Sequence, residues 1–208
     1  MSLPPKIIDK NGKESFGGSQ MWIPNAMLLN SGCGIIAGLD AILRLKGEDH
    51  MTREEYFDRF FDAKDYIRPI IVGKTDKPRK LFGKEFYGSL GVSPGRFSRG
   101  VKKLAAKEGL NIRVKPLTFK WSEKIPKHLE TGEPLVMLFV SPFKELTIET
   151  PGGNKTMCQF HWVTITEIDG DTLWVSSWGM RCKMSVQELK KVGVFLSIYS
   201  ISAENKEA

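Results

Sequence analysis

The run of thirteen residues from Cys33 to Leu45 limits the possible folds more than any other part of this 208-residue chain. Its apolar residues are too dense for one face of a surface helix, so they predict a mostly buried helix. The pair Lys46-Gly47 predicts where that helix ends.

Two of the helices predicted after this one have clear start signals. Thr52 and Glu55 form a capping-box pattern, which predicts a helix over about 53–64. Ser93 followed by Pro94 is typical of the start of another helix. The predicted apolar face of that helix consists of Phe97, Val101, Leu104 and Ala105.

The hydrophobic pattern changes to strands in the last third of the chain. Residues 161–168 alternate apolar and polar side chains, as a half-buried strand does. Asp169-Gly170-Asp171 predicts a tight hairpin turn, with a partner strand over 172–176. The order of elements, helices first and an antiparallel sheet afterwards, predicts an α+β fold.

The length fits one domain, since a chain of this size buries enough surface to fold without disulfides or a metal. We expect a single domain over 1–208. Within it, residues of about 20–131 are expected to be mainly helical and those of about 132–202 to form the antiparallel sheet.

Three cysteines are few and odd in number, which argues against a disulfide framework and fits a reducing compartment. No apolar run approaches the roughly 20 residues that span a bilayer, and residues 1–16 do not resemble a secretory signal. We therefore expect a cytoplasmic protein that does not enter the membrane.

The net charge of +7 comes from one region. Residues 64–107 carry a balance of +9 and the rest of the chain −2. The segment has no RNA- or DNA-binding motif, so a nucleic-acid partner is not expected. Its basic residues form either a solvated helix face or a rim that attracts acidic peptides or another polyanion. Those on the predicted helix are Arg96, Arg99, Lys103 and Lys107.

Cys33 is the candidate nucleophile, because it begins the predicted buried helix. A thiol at a helix start lies at the positive end of the helix dipole and near free backbone N–H groups. Both favour the thiolate, which is the form that attacks carbonyl groups. Taken alone, Cys33 fits a buried structural cysteine better than a nucleophile.

His161 is the candidate general base and acid, because it begins a strand directly after a loop-like segment. A helix-start cysteine with a distant histidine on a strand is the arrangement of a Cys–His nucleophilic pair. The predicted hairpin brings Ser176 beside His161, and Trp178 to a position where it can shield the pair from water.

These three motifs resemble the papain-like cysteine peptidases: Cys33-Gly34, His161-Trp162-Val163 and Ser176-Ser177-Trp178-Gly179. The Cys-Gly start is closer to bacterial peptidases that process bacteriocin leaders than to papain. The resemblance implies a helical part that carries the nucleophile, a sheet part that carries the histidine, and peptide or protein substrates. It also implies an Asn or Asp that orients the histidine, and Ser176 stands in that place here.

The resemblance further implies a glutamine shortly before the nucleophile, whose amide completes the oxyanion hole beside the Cys33 backbone N–H. No glutamine stands at the family's spacing. The candidates are Gln20, Asn25 and Asn30, and Asn30 is equally consistent with a turn residue.

Cys158, His161 and Cys182 offer three possible zinc ligands, but a fourth is not evident and paired CxxC spacing is absent. We expect no metal and no cofactor, and we expect Cys158 and Cys182 to be packed thiols. The leading hypothesis is a cysteine peptidase-like hydrolase. The alternatives are a catalytically impaired peptide- or protein-binding module of the same fold, and an amidase or transglutaminase-like acyl transferase.

Overall fold

Helices and strands alternate through the first half of the chain, and strands dominate the second half. The computed structural model describes residues 3–72, 79–81, 84–86, 88–191 and 193–204. Its helices are α1 (Ala26–Ser31), α2 (Cys33–Leu45), α3 (Arg53–Ala63), α4 (Pro94–Lys107), α5 (Trp121–Glu130) and α6 (Val186–Leu189). Its strands are β1 (Lys6–Ile8), β2 (Glu14–Phe16), β3 (His50–Thr52), β4 (Arg79–Leu81), β5 (Lys84–Phe86), β6 (Ile112–Leu117), β7 (Leu135–Val140), β8 (Leu146–Glu149), β9 (Lys155–Cys158), β10 (Phe160–Asp169), β11 (Thr172–Ser177), β12 (Met180–Ser185) and β13 (Phe195–Ala203).

The largest sheet among the described residues has eight strands in the order β6-β13-β7-β10-β11-β12-β8-β9. Every neighbouring pair in it is antiparallel. The predicted α+β class is therefore confirmed. Strand β6 joins this sheet from within the segment that the sequence marks as mainly helical.

Helix α2 is the buried helix that the sequence predicts, and its residues from Cys33 to Leu43 are all buried. It packs on one face of the sheet, where Leu138 and Trp162 share its core. Because side chains alternate along a strand, neighbours such as Phe139 and Val163 lie in a second core on the opposite face. In the part of the chain that the structure describes, no helix has the length and apolar character needed to cross a membrane.

The two other predicted helix starts are confirmed. Thr52 and Glu55 form the capping box of α3, with the Glu55 carboxylate accepting the Thr52 N–H at 2.8 Å. Ser93 precedes Pro94 at the start of α4. The apolar face of α4 is buried, and Phe97 stacks on Trp162 with ring centroids 4.1 Å apart. This contact fixes α4 beside α2 and the sheet.

The chain before α1 closes one side of the site described below. The N–H of Phe16 donates to the carbonyl of Gly179 at 2.8 Å, which joins β2 to the turn after β11. Gly17 has a φ of +77°, a conformation that favours glycine. The chain then turns toward α2 at Gly18.

Candidate active site

Cys33 is the first residue of α2, and its side chain is buried. The first hydrogen bond of the helix runs from the Ile36 N–H to the Gly32 carbonyl at 3.0 Å. The N–H groups of the first turn, including that of Cys33, therefore have no acceptor within the helix. They are available to a group that approaches the sulfur.

Burial opposes the thiolate that is expected at Cys33. Burial raises the pKa of the Cys33 thiol to about 11, although the backbone N–H groups of Trp162 and Gly34 act in the opposite direction. The effect of burial on the Cys33 pKa is therefore larger than the opposing effect of the helix start. Cys33 is a neutral thiol at pH 7.

His161 lies at the start of β10 and is also buried. Its ring lies between two aromatic side chains: Trp178 stacks on it with centroids 4.8 Å apart, and Phe139 meets it edge-on at 6.2 Å. Burial lowers the pKa of His161 to about 4, so the imidazole is neutral at pH 7. No hydrogen bond joins His161 to the Cys33 sulfur, both of them within the described residues.

The expected partner of His161, Ser176, is not the residue that bonds to it. The Nε2 atom of His161 lies 2.7 Å from the hydroxyl oxygen of Ser177. Ser176 instead donates its hydroxyl to the carbonyl of Phe16 at 2.7 Å. Ser177 therefore holds the ring, and Ser176 attaches the amino-terminal segment.

A β-bulge in the β10–β11 hairpin explains why Ser177, and not Ser176, contacts His161. Near the turn, the β10–β11 hairpin pairs Asp169 with Thr172, and this regular register would place Ser176 on the same face as His161. The register shifts by one residue between Ile165 and Glu167, after which Thr164 pairs with Ser176. A shift of one residue moves Ser177 onto the face of His161.

Cys33 and His161 border one small cavity of about 10 Å³, which is at the lower limit for a single water molecule. Its walls come from α2, β10, β11 and the segment before α1. Gln20, Ser176, Ser177 and Trp178 also border it. The structure thus brings five of the seven candidate residues around one space.

Gln20 is the one of the three amide candidates that reaches this cavity. Its Oε1 atom is buried and has no hydrogen-bond partner among the described residues. A buried polar atom without a partner is costly, so an amide held there is poised for a ligand. A half-turn of the amide presents its NH₂ donors at the same place.

Asn25 and Asn30 make local hydrogen bonds in and around α1, away from the Cys33 sulfur. Asn25 caps α1, and its side-chain oxygen accepts the Leu28 N–H at 3.0 Å. The side chain of Asn30 donates to the carbonyl of Ala26 at 2.7 Å on the exposed side of α1. Neither borders the cavity.

Asp40 borders the cavity as well, and the sequence reasoning missed it. Residues 33, 37 and 40 share a helix face, so Asp40 lies two turns below the sulfur. The carboxylate accepts the hydroxyl of Tyr56 at 2.7 Å and the N–H of Gly18 at 3.2 Å. Burial raises the pKa of Asp40 to about 7. The signal available was a carboxylate in the middle of a helix whose residues from Cys33 to Leu43 are otherwise apolar.

The other two cysteines have thiols that lie near backbone carbonyl groups. Cys182 is buried, and its thiol lies 3.9 Å from the Ser177 carbonyl. The thiol of Cys158 lies 3.8 Å from the carbonyl of Phe160. Within the described residues, no three His, Cys, Asp or Glu side chains come together as metal ligands.

No protein-family model and no curated protein matches the sequence. Among solved structures, the chain is similar to a crystal structure named "putative C39-like peptidase from Bacillus anthracis". The two share 16% sequence identity with a TM-score of 0.49, over 88% of this chain and 96% of that chain. Similarity at this level does not assign a role to any residue.

Proposed function

We propose that the protein is a papain-like thiol hydrolase that cleaves peptide or amide bonds in peptides or proteins. The observation that carries the proposal is that Cys33, at the start of a buried helix, and His161, from the sheet, border one cavity. Gln20 and Trp178 border it too, so a nucleophile, a base, an amide donor and a shielding ring converge.

In this proposal Cys33 stays neutral until a substrate carbonyl arrives. Ser177 occupies Nε2 of His161, so Nδ1 is the ring nitrogen left to receive the thiol proton. Burial favours the neutral form of both groups. Proton transfer therefore accompanies the attack of sulfur on carbon instead of preceding it.

Negative charge then develops on the carbonyl oxygen. The backbone N–H of Cys33 and the side-chain amide of Gln20 are the donors proposed to stabilise it. His161 passes its proton to the leaving amine, which leaves an acyl group on the sulfur. Water then hydrolyses this thioester, with His161 again as the base.

A peptide-cleavage assay tests the proposal. The full chain is incubated with a proteome-derived peptide library, and new termini are identified by mass spectrometry. We expect cleavage that disappears in Cys33→Ser and in His161→Gln, while Cys158→Ser retains it. Cleavage that persists in Cys33→Ser, or no cleavage at any pH from 6 to 10, would overturn the proposal.

A second candidate is a peptide-binding module that has lost efficient chemistry. It is favoured by the missing hydrogen bond between Cys33 and His161 and by the high pKa of the thiol. It predicts that peptides bind without turnover.

A further inference from the structure

One side of α4 carries exposed cations that the proposed chemistry does not use. Arg96, Arg99 and Lys103 are spaced by three and four residues, so they share the solvent face of the helix. The opposite face, with Phe97 and Val101, is buried against the core. The sequence therefore places these three basic side chains on the solvent-facing side of α4.

The turn after α3 adds a fourth cation beside these three basic residues of α4. Gly100 allows the turn to lie close to α4, since a Cβ atom there would lie 2.6 Å from the Tyr66 carbonyl oxygen. Arg68, in the same turn, then joins the other three around a surface cavity of about 290 Å³. We call these four residues, Arg68, Arg96, Arg99 and Lys103, the α4 basic surface.

Backbone contacts hold two of the four side chains. Arg96 Nη1 donates to the carbonyl of Pro69 at 2.9 Å, and Arg68 Nε donates to the carbonyl of Asp65 at 2.6 Å. Each contact uses one of the five guanidinium donors. The remaining N–H groups stay available to an anion.

The charge of the α4 basic surface is not balanced by ion pairs to the carboxylates that the structure describes. None of its four cations forms an ion pair with an acidic residue in the described ranges, whereas Lys46 and Arg59 share Glu108. The carboxylate of Asp65 lies nearby but is bound by Lys64 at 2.9 Å. Clustered like charges repel one another, and an anionic ligand relieves this repulsion.

An apolar groove of about 590 Å³ adjoins the surface and shares Arg68 and Arg96 with it. Its walls include Phe61 and Ile71, which are 41% and 65% exposed, and Met27 of α1. The lining combines apolar side chains with polar and charged ones, and Phe61 is its single aromatic residue among the described residues. It therefore suits an aliphatic side chain flanked by charged groups better than a series of stacked nucleic-acid bases.

We propose that the α4 basic surface and this groove bind an acidic peptide segment, with its carboxylates on the cations and a neighbouring aliphatic side chain in the groove. The assignment of this segment to a substrate protein rests on the proposed hydrolase function. Helix α1 lines the groove and directly precedes α2, so the bound segment would lie beside the chain that leads to Cys33.

Binding is measured by fluorescence anisotropy on the full-length Cys33→Ala protein, which excludes turnover. The probe is a labelled synthetic peptide with a run of Glu residues followed by Leu-Ile, and its matched control has Gln for each Glu. We expect the Glu peptide to bind and to weaken as salt is raised. Equal binding of both peptides would overturn the proposal.

Two double variants locate the contact. Arg99→Gln with Lys103→Gln is expected to weaken binding about tenfold, as for a loss of roughly 1.4 kcal/mol. Lys102→Gln with Lys115→Gln removes the same charge from exposed positions outside the cavity and should leave binding unchanged. An equal loss in both, or tighter binding of a single-stranded oligonucleotide than of the peptide, would overturn it.

Kinetic assays with Cys33 intact test this binding proposal separately from the proposed hydrolase function. With Arg99→Gln and Lys103→Gln, we expect a higher KM for an acidic substrate and an unchanged kcat on a small neutral amide. Peptide binding without any hydrolysis would contradict only the proposed function. Hydrolysis that is indifferent to acidic residues in the substrate would contradict only the binding site.

Discussion

Ser177 holds the Nε2 side of the His161 ring at 2.7 Å. A neutral imidazole carries its proton on one nitrogen, so a Ser177 oxygen that accepts from Nε2–H leaves Nδ1 as the basic atom. The neighbouring hydroxyl of Ser176 cannot do this, because it is bonded to the carbonyl of Phe16. Orientation of the proposed base thus depends on one hydroxyl group.

Ser177→Ala is expected to lower kcat about 10- to 100-fold with little change in KM, because the ring loses the partner that sets its tautomer. Steady-state kinetics measures the rate, and ¹⁵N chemical shifts of the ring measure the tautomer. Ser177→Thr retains the hydroxyl and should retain most of the activity.

Ser176→Ala is the matched control. It removes a contact to the amino-terminal segment and should lower the free energy of unfolding by about 1 kcal/mol while leaving the tautomer unchanged. If Ser176→Ala changes the ring shifts and Ser177→Ala does not, the assignment of the two serines is wrong.

Alkylation of Cys33 should have no plateau near neutral pH. Its pKa of about 11 means that the thiolate fraction, and hence the rate with iodoacetamide, rises about tenfold for each pH unit between 6 and 9. A thiolate–imidazolium pair would instead give a constant rate from about pH 5 upward. Mass spectrometry of the labelled peptide separates Cys33 from Cys158 and Cys182.

His161→Ala provides the comparison for this profile. Because the resting imidazole is neutral and makes no hydrogen bond to the Cys33 sulfur, His161→Ala should show the same tenfold rise for each pH unit. A plateau in the wild type that His161→Ala abolishes would show that an ion pair is already present in the resting protein, contrary to the neutral pair described above.

The sequence predicted the local features of the site better than its long-range contacts. The apolar run after Cys33 requires a buried helix, and alternation after His161 requires a strand, so both positions follow from local patterns. The choice between Ser176 and Ser177 depends on a one-residue bulge, which alternation alone does not reveal. The place of Gln20 depends on the path of the segment before α1, and no local pattern encodes it.

The pKa of Cys33 is a second property that local sequence patterns do not predict. A helix start favours the thiolate, and this much is local. The opposing effect comes from burial by β10 and the segment around Val92, which pack on the first turn of α2 and are distant in sequence. Burial is therefore the larger effect on the Cys33 pKa, and it can be known only from the tertiary structure.

Asp40 should make stability depend on pH. Its pKa is raised from 3.8 to about 7, so the folded protein keeps a proton that the unfolded chain releases. This contribution to stability is complete below about pH 4 and is lost as the pH rises through about 7. Asp40→Asn remains neutral, so its free energy of unfolding relative to wild type should rise between pH 4 and pH 8, on the order of a few kcal/mol.

Urea denaturation over this pH range measures the effect. Asp58→Asn changes an exposed carboxylate on α3 and should follow the wild type at every pH. The burial of His161 affects all three proteins equally and cancels in the comparison. Parallel curves for wild type and Asp40→Asn would contradict the raised pKa.

Gln20 should matter for the rate rather than for the fold. If its amide donates to the oxyanion, Gln20→Ala lowers kcat about 100-fold and leaves KM nearly unchanged, because the hydrogen bond strengthens only as charge develops. Asn30→Ala removes an exposed amide and should leave kcat unchanged, while Asn25→Ala loses a helix cap and about 1 kcal/mol of stability. A rate loss in Asn30→Ala equal to that in Gln20→Ala would contradict the choice of Gln20 as the donor, since only Gln20 of these two borders the cavity with Cys33.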